Sequence, residues 1–136
     1  SALREYGHLL GLCFQIKDDI FDYSDLEDLG KPTMSDLRDG KVTLPLIIAL
    51  QRAPQVEADH IRQLGERIAT ESENPETEKR LEEIKSFVLR FQGNEYAVQK
   101  MLAYKKQAIE ALRVFRDSKT KESLLALLDY AIHRIQ

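Results

Sequence analysis

The sequence predicts an all-α protein, a helical bundle of about six helices. Three observations point there. Apolar residues recur three and four positions apart along most of the chain, the spacing that places them on one face of a helix. No alternation of apolar and polar residues persists beyond a few positions, so strands leave no signal. Gly and Pro number only six and four in 136 residues, while Leu, Glu, Lys, Ala and Arg abound, which favours helix over sheet.

The first helix carries Leu3, Tyr6, Leu9, Cys13, Ile16 and Ile20 at helical spacing and is expected to run to about Tyr23. Only Ser1 stands in front of it as a capping residue. The opening therefore reads as a cut just before or inside a long helix of a larger protein, with a true terminus capped by Ser1 as the alternative. Residues 24–41 hold Gly30, Pro32 and Gly40 with few apolar side chains and read as a loop. Pro32 lacks an N–H and drives Lys31 out of helical conformation. The loop is longer than most connections, and such loops tend to be functional or disordered.

Thr43 as cap and Pro45 in the first turn open a short helix, Leu44 to Leu50, whose apolar side chains cover nearly all of it and predict burial all round. Pro54 begins an amphipathic helix through Ile61, Leu64 and Ile68. Residues 70–79 are polar and predict an exposed connection. Leu81, Ile84, Val88 and Phe91 mark the next helix, which Gly93 and Asn94 interrupt. A longer one follows from Tyr96 to Phe115. Asp117 and Ser118 turn the chain into a terminal helix carrying Leu124, Leu128, Ala131, Ile132 and Ile135.

Composition excludes several classes. Lys and Arg total 20 against 23 Asp and Glu, a net charge of −3, so no broad basic surface exists for nucleic acid. With 43% hydrophobic and 32% charged residues the chain can build a core and is no disordered tail. Cys13 is the single cysteine, which excludes an internal disulfide framework and a Cys-cluster zinc site; it reads as a small core residue. His8, His60 and His133 lie far apart and read as ordinary surface or packing residues. No apolar run reaches the roughly 18 residues of a membrane span. No signal pattern appears, so the cytoplasm is the default compartment.

The chemistry concentrates in Phe14-Gln15-Ile16-Lys17-Asp18-Asp19-Ile20-Phe21-Asp22. On a helix Asp18 and Asp22 share a face, Asp19 lies three residues from Asp22, and Gln15 sits one turn earlier. Three neighbouring carboxylates repel one another, and they stand near a helix C-terminus, where the macrodipole disfavours anions. A cation over them makes the pattern sensible. Mg²⁺ accepts one or two carboxylates and fills its other positions with water and phosphate oxygens. A Ca²⁺-binding EF-hand starting at Asp22 fails, because Leu26 and Glu27 stand where an oxygen ligand and Gly are needed. Lys31, Arg38 and Lys41 lie just beyond, and cations beside a metal site suit a phosphate ligand. The competing reading is a non-catalytic helical interaction module whose acids form a solvated face.

The run Gly11 to Asp22 resembles the second aspartate-rich motif of trans-isoprenyl (polyprenyl) diphosphate synthases, FQxxDDxxD. The resemblance continues through Gly30-Lys31-Pro32, Asp36 and Gly40-Lys41-Val42-Thr43-Leu44-Pro45, against the family pattern GKPxGxDxxxGKxTLP. Met34 stands where Gly is usual. Glu95-Tyr96-Ala97 and Asp129-Tyr130-Ala131 fit the family more loosely. The same loop argues against a cyclising terpene synthase.

The resemblance implies the C-terminal part of the isoprenoid synthase fold over residues 1–136, with the N-terminal half and its first DDxxD motif absent. It implies a Mg²⁺-dependent prenyltransferase that condenses an allylic diphosphate with isopentenyl diphosphate. The intact enzyme is expected to be a homodimer and the isolated piece inactive. By the same resemblance Asp18 is the principal Mg²⁺ ligand, assisted by Asp19 and Asp22. Lys31 and Lys41 contact the allylic diphosphate, Gln15 lies near the reacting carbons, and Phe14 lines the apolar pocket.

Overall fold

A computed structural model describes residues 1–24, 34–71 and 74–133. Its helices are α1 (Ala2–Asp22), α2 (Ser35–Arg38), α3 (Leu44–Arg52), α4 (Gln55–Thr70), α5 (Thr77–Arg90), α6 (Gly93–Ala111) and α7 (Lys119–Ile132), with a 3₁₀ turn at Leu112–Val114. No strand occurs among the described residues. The all-α expectation holds. The helix beyond the expected six is α2, a single turn inside the stretch read as loop, anchored by buried Leu37.

The chain divides into two compact units, Ser1–Asp18 with Val98–Gln136, and Asp19–Ala97. In the first, Tyr6, Leu9, Cys13 and Ile16 bury one stripe of α1, as their spacing predicts. The Tyr6 hydroxyl donates to the Leu124 carbonyl (2.5 Å), and the fully buried Cys13 thiol donates to the Met101 carbonyl (3.6 Å). Ser118 caps α7, its hydroxyl oxygen accepting from the Lys121 amide at 3.1 Å.

In the second unit α4 lays Ile61, Leu64 and Ile68 against Leu81, Ile84 and Val88 of α5. The polar connection is shorter than expected, since α5 begins at Thr77, which is itself buried. Helix α3 packs on α4 and α5 through Leu46 and Ala49 but leaves Ile47 40% exposed, so burial all round is not observed there. Contact with two helices on one side suffices to seat so short a helix. Thr43 occupies the N-cap position in extended conformation, yet its side chain makes no capping bond; the hydroxyl is buried instead. Gly93 opens α6 directly against the Pro45 carbonyl.

Candidate metal and diphosphate site

Helix α1 delivers the acidic residues at its C-terminal end, and their environments differ. Asp18 is exposed, whereas Asp19 and Asp22 are only 6% and 7% exposed. Carboxylates so buried need partners, because desolvation penalises the charged form. Ser35 Oγ donates to Asp22 Oδ1 at 3.4 Å, and the Asp36 and Ser35 backbone N–H groups face the same carboxylate. Asp22 Oδ2 nevertheless remains buried without a hydrogen-bond partner. Burial first, then the negative charge of Asp36, pushes the Asp22 pKa above its ordinary value.

The sign of that shift fixes a pH dependence. Ionising Asp22 is harder in the folded chain than in the unfolded one. Stability is therefore lost as pH rises from the ordinary carboxylate range through the raised folded value. Asp22→Asn removes the loss. The thermal midpoint of that variant is expected to exceed that of the native sequence by a few degrees at pH 7, and the two should converge below about pH 4. Melting curves across pH check this.

The adjoining polar layer is one that local sequence does not announce. Tyr23 is fully buried, with its hydroxyl beside that of Thr43, and neither oxygen completes a hydrogen bond. Burial drives the Tyr23 pKa well above its ordinary value, and the charges of Asp22, Asp19 and Asp36 push the same way. Asn94 Nδ2 donates to the Tyr23 carbonyl (3.3 Å), closing the end of α1 from a point 71 residues further along. Asp36 and Thr43, both in the loop pattern, carried a signal in the sequence; Tyr23 and Asn94 carried none.

The remaining predicted residues are scattered in environment. Gln15 is exposed on α1, and Phe14 is half-buried with Lys17 Nζ 5.8 Å from its ring centre. Lys17 also sits 5.7 Å from the Tyr130 ring, a cation–π arrangement. Lys41 is exposed, and its amide donates to the Asp36 carbonyl at 2.8 Å. Gly40, at φ +81°, makes the preceding turn in a conformation that favours glycine. Lys31 lies outside the described residues. Arg38 pairs with Glu78: its guanidinium donates at 2.8 Å, and that pairing holds the Glu78 pKa below its usual value.

Among the described residues no three or more His, Cys, Asp or Glu side chains are grouped so that they could hold a metal ion; the end of α1 offers separate carboxylates. That donor set still suits Mg²⁺, which takes few protein carboxylates and keeps water and phosphate oxygens as its other ligands. Asp22 Oδ2, buried and without a hydrogen-bond partner, is an oxygen of the hard type that Mg²⁺ takes.

Among the described residues no helix is long and apolar enough to cross a membrane. The family profile described as polyprenyl synthetase matches residues 1–85. The short chain isoprenyl diphosphate synthase of Methanothermobacter thermautotrophicus is 36% identical over 136 residues, covering 98% of this chain and 39% of that protein. The solved geranylgeranyl pyrophosphate synthase of Bacteroides thetaiotaomicron superposes with a TM-score of 0.82 at 34% identity, over 98% of this chain and 42% of that one. The polyprenyl synthase of Caulobacter crescentus, solved with calcium and isoprenyl diphosphate, gives 0.79 at 34% identity, over 99% and 40%. The chain thus spans about two-fifths of the length of the relatives it matches. The profile match over most of the chain, the likeness in fold and the acidic helix end agree: this chain belongs to the polyprenyl synthetase family.

Proposed function

We propose that the chain is the part of a prenyltransferase that supplies the second acidic metal site. The complete enzyme condenses an allylic diphosphate with isopentenyl diphosphate to give a longer polyprenyl diphosphate. The observation that carries the reading is the buried Asp22 carboxylate, with one oxygen unpartnered, at the end of a helix that also bears Asp18 and Asp19. The relatives' names, and the calcium and isoprenyl diphosphate of the Caulobacter structure, support it.

In this reading Asp18, Asp19 and Asp22 hold Mg²⁺. The ion supplies Lewis-acid neutralisation of the negative charge that grows on a departing diphosphate. Lys41 and Lys31 place ammonium groups on the phosphate oxygens and orient the allylic substrate. Gln15 directs its amide dipole at the carbon centre that becomes cationic. Phe14 provides apolar wall that keeps water from that carbon. A homodimeric, cytoplasmic enzyme belongs to the same proposal.

Ligand-dependent melting tests it. Mg²⁺ with inorganic pyrophosphate is expected to raise the melting temperature of the chain by a few degrees, and either component alone by less. The same midpoint with and without the pair would favour a solvated acidic face over a metal site.

A further inference from the structure

We propose that Met34 is a positioning residue whose left-handed backbone and core-anchored side chain together fix the segment that holds the Asp22 carboxylate. The word positioning rests on the reading of Asp22 as a metal ligand; the anchoring itself does not.

Two backbone hydrogen bonds hold Met34 between α1 and α2. The Met34 amide donates to the Asp22 carbonyl at 3.0 Å, tying this residue to the last position of α1. The Met34 carbonyl accepts from the Arg38 amide, also at 3.0 Å, and so begins α2. Between these bonds the chain turns at φ 65°, ψ 20°. That turn sets Ser35 Oγ 3.4 Å from Asp22 Oδ1 and faces the Ser35 and Asp36 amides towards the same carboxylate.

A long L side chain seldom occupies the left-handed region, and it stays there only when its surroundings over-determine it. Here the side chain does so. Met34 is 3% exposed and belongs to the core cluster that includes Tyr23, Leu37 and Ile68. Glycine would adopt the turn freely but would leave it untethered. Methionine accepts the strain and supplies the tether, its flexible thioether fitting an irregular gap. The rotamer of Asp22 is thereby coupled to packing in the core.

The experiment is NMR on the 136-residue chain without ligand. Hα–Hβ couplings report the Asp22 rotamer, amide exchange at residue 34 reports the tie to α1, and Ile84 in α5 reports general stability. In the native sequence Asp22 is expected in one rotamer, with the residue-34 amide protected. Met34→Gly should average the Asp22 couplings and speed exchange at residue 34 at least ten-fold more than at Ile84. Met34→Leu should preserve both. Averaged Asp22 couplings in the native chain would overturn the proposal without any variant. So would Met34→Gly couplings unchanged from native, or residue-34 exchange that accelerates no more than Ile84. A separate titration with Mg²⁺ and pyrophosphate, read at the Asp22 carboxyl carbon, tests the metal reading; no shift there sinks that reading and leaves the anchoring measurement to be judged alone.

Discussion

Gly93→Ala lowers the stability of the chain by about 3 kcal/mol, the upper part of the range for overpacking. A Cβ at this position would overlap the Pro45 carbonyl oxygen and lie 2.9 Å from Val88 Cγ1. The first obstacle is backbone, so the clash is relieved only by moving the start of α3 or the start of α6. The sign is diagnostic. Alanine is at least as good a helix former as glycine, so helix propensity gives no reason for a loss. Gly65 supplies the control: it lies inside α4, and nothing stands within 4 Å of a Cβ built there. Gly65→Ala is expected to stabilise by about 0.5–1 kcal/mol. Urea denaturation of both variants measures the pair, and a neutral or stabilising Gly93→Ala would contradict the packing described.

If the proposed function holds, Asp18→Ala in a full-length synthase carrying this segment is expected to lower kcat by about a hundred-fold or more, roughly 3 kcal/mol of transition-state stabilisation, with KM changed only a few-fold. The split follows from where charge appears. The aid given by a metal held at Asp18 grows as the leaving diphosphate becomes more negative, so it weighs on the transition state more than on binding. Asp18 is also the cleanest of the three acids to remove, because it is exposed and carries no part of the core. A loss of turnover with unchanged melting temperature is the expected pattern. Steady-state kinetics at saturating Mg²⁺ decide it, and turnover near the native value would remove Asp18 from the mechanism.

Much of the fold was legible because α4 and α5 each bury one stripe. Ile61, Leu64 and Ile68 on one side, and Leu81, Ile84 and Val88 on the other, follow the 3.6-residue period without help from the rest of the chain. Cys13 likewise lies where its spacing placed it, fully buried. What could not be read depends on partners distant in sequence. Ile47 is exposed because α3 has neighbours on one side of it in its unit, and composition alone does not tell which side. Thr43 looks like a cap, but its hydroxyl turns towards Tyr23. The pairing of Arg38 with Glu78, 40 residues on, likewise leaves no signal in local sequence. The family pattern's Gly at position 34 hints at a left-handed backbone, but that a methionine is held there shows only once the core is assembled from several helices.

The candidate site divides in the same way. The acidic spacing suggested a cation from residue types alone, whereas the Gly-Lys and Thr-Leu-Pro steps gained meaning only through the resemblance to the family. The burial of Asp19 and Asp22 against the exposure of Asp18 came only with the structure, as did the unpartnered Asp22 oxygen. Periodicity states which residues share a helix; it does not state which of them the fold deprives of water.

In the proposed function the acidic end of α1 takes a divalent ion together with a diphosphate. Mn²⁺ in place of Mg²⁺ tests it residue by residue, since its unpaired electrons broaden the NMR signals of nearby nuclei. With pyrophosphate present, a small fraction of an equivalent of Mn²⁺ is predicted to erase the amide signals of Asp18, Asp19 and Asp22, leave those of Asp59 and Glu66 on α4 sharp, and be reversed by excess Mg²⁺. Equal broadening at Asp59, Glu66 and the three acids of α1, or no selective broadening at all, would contradict it.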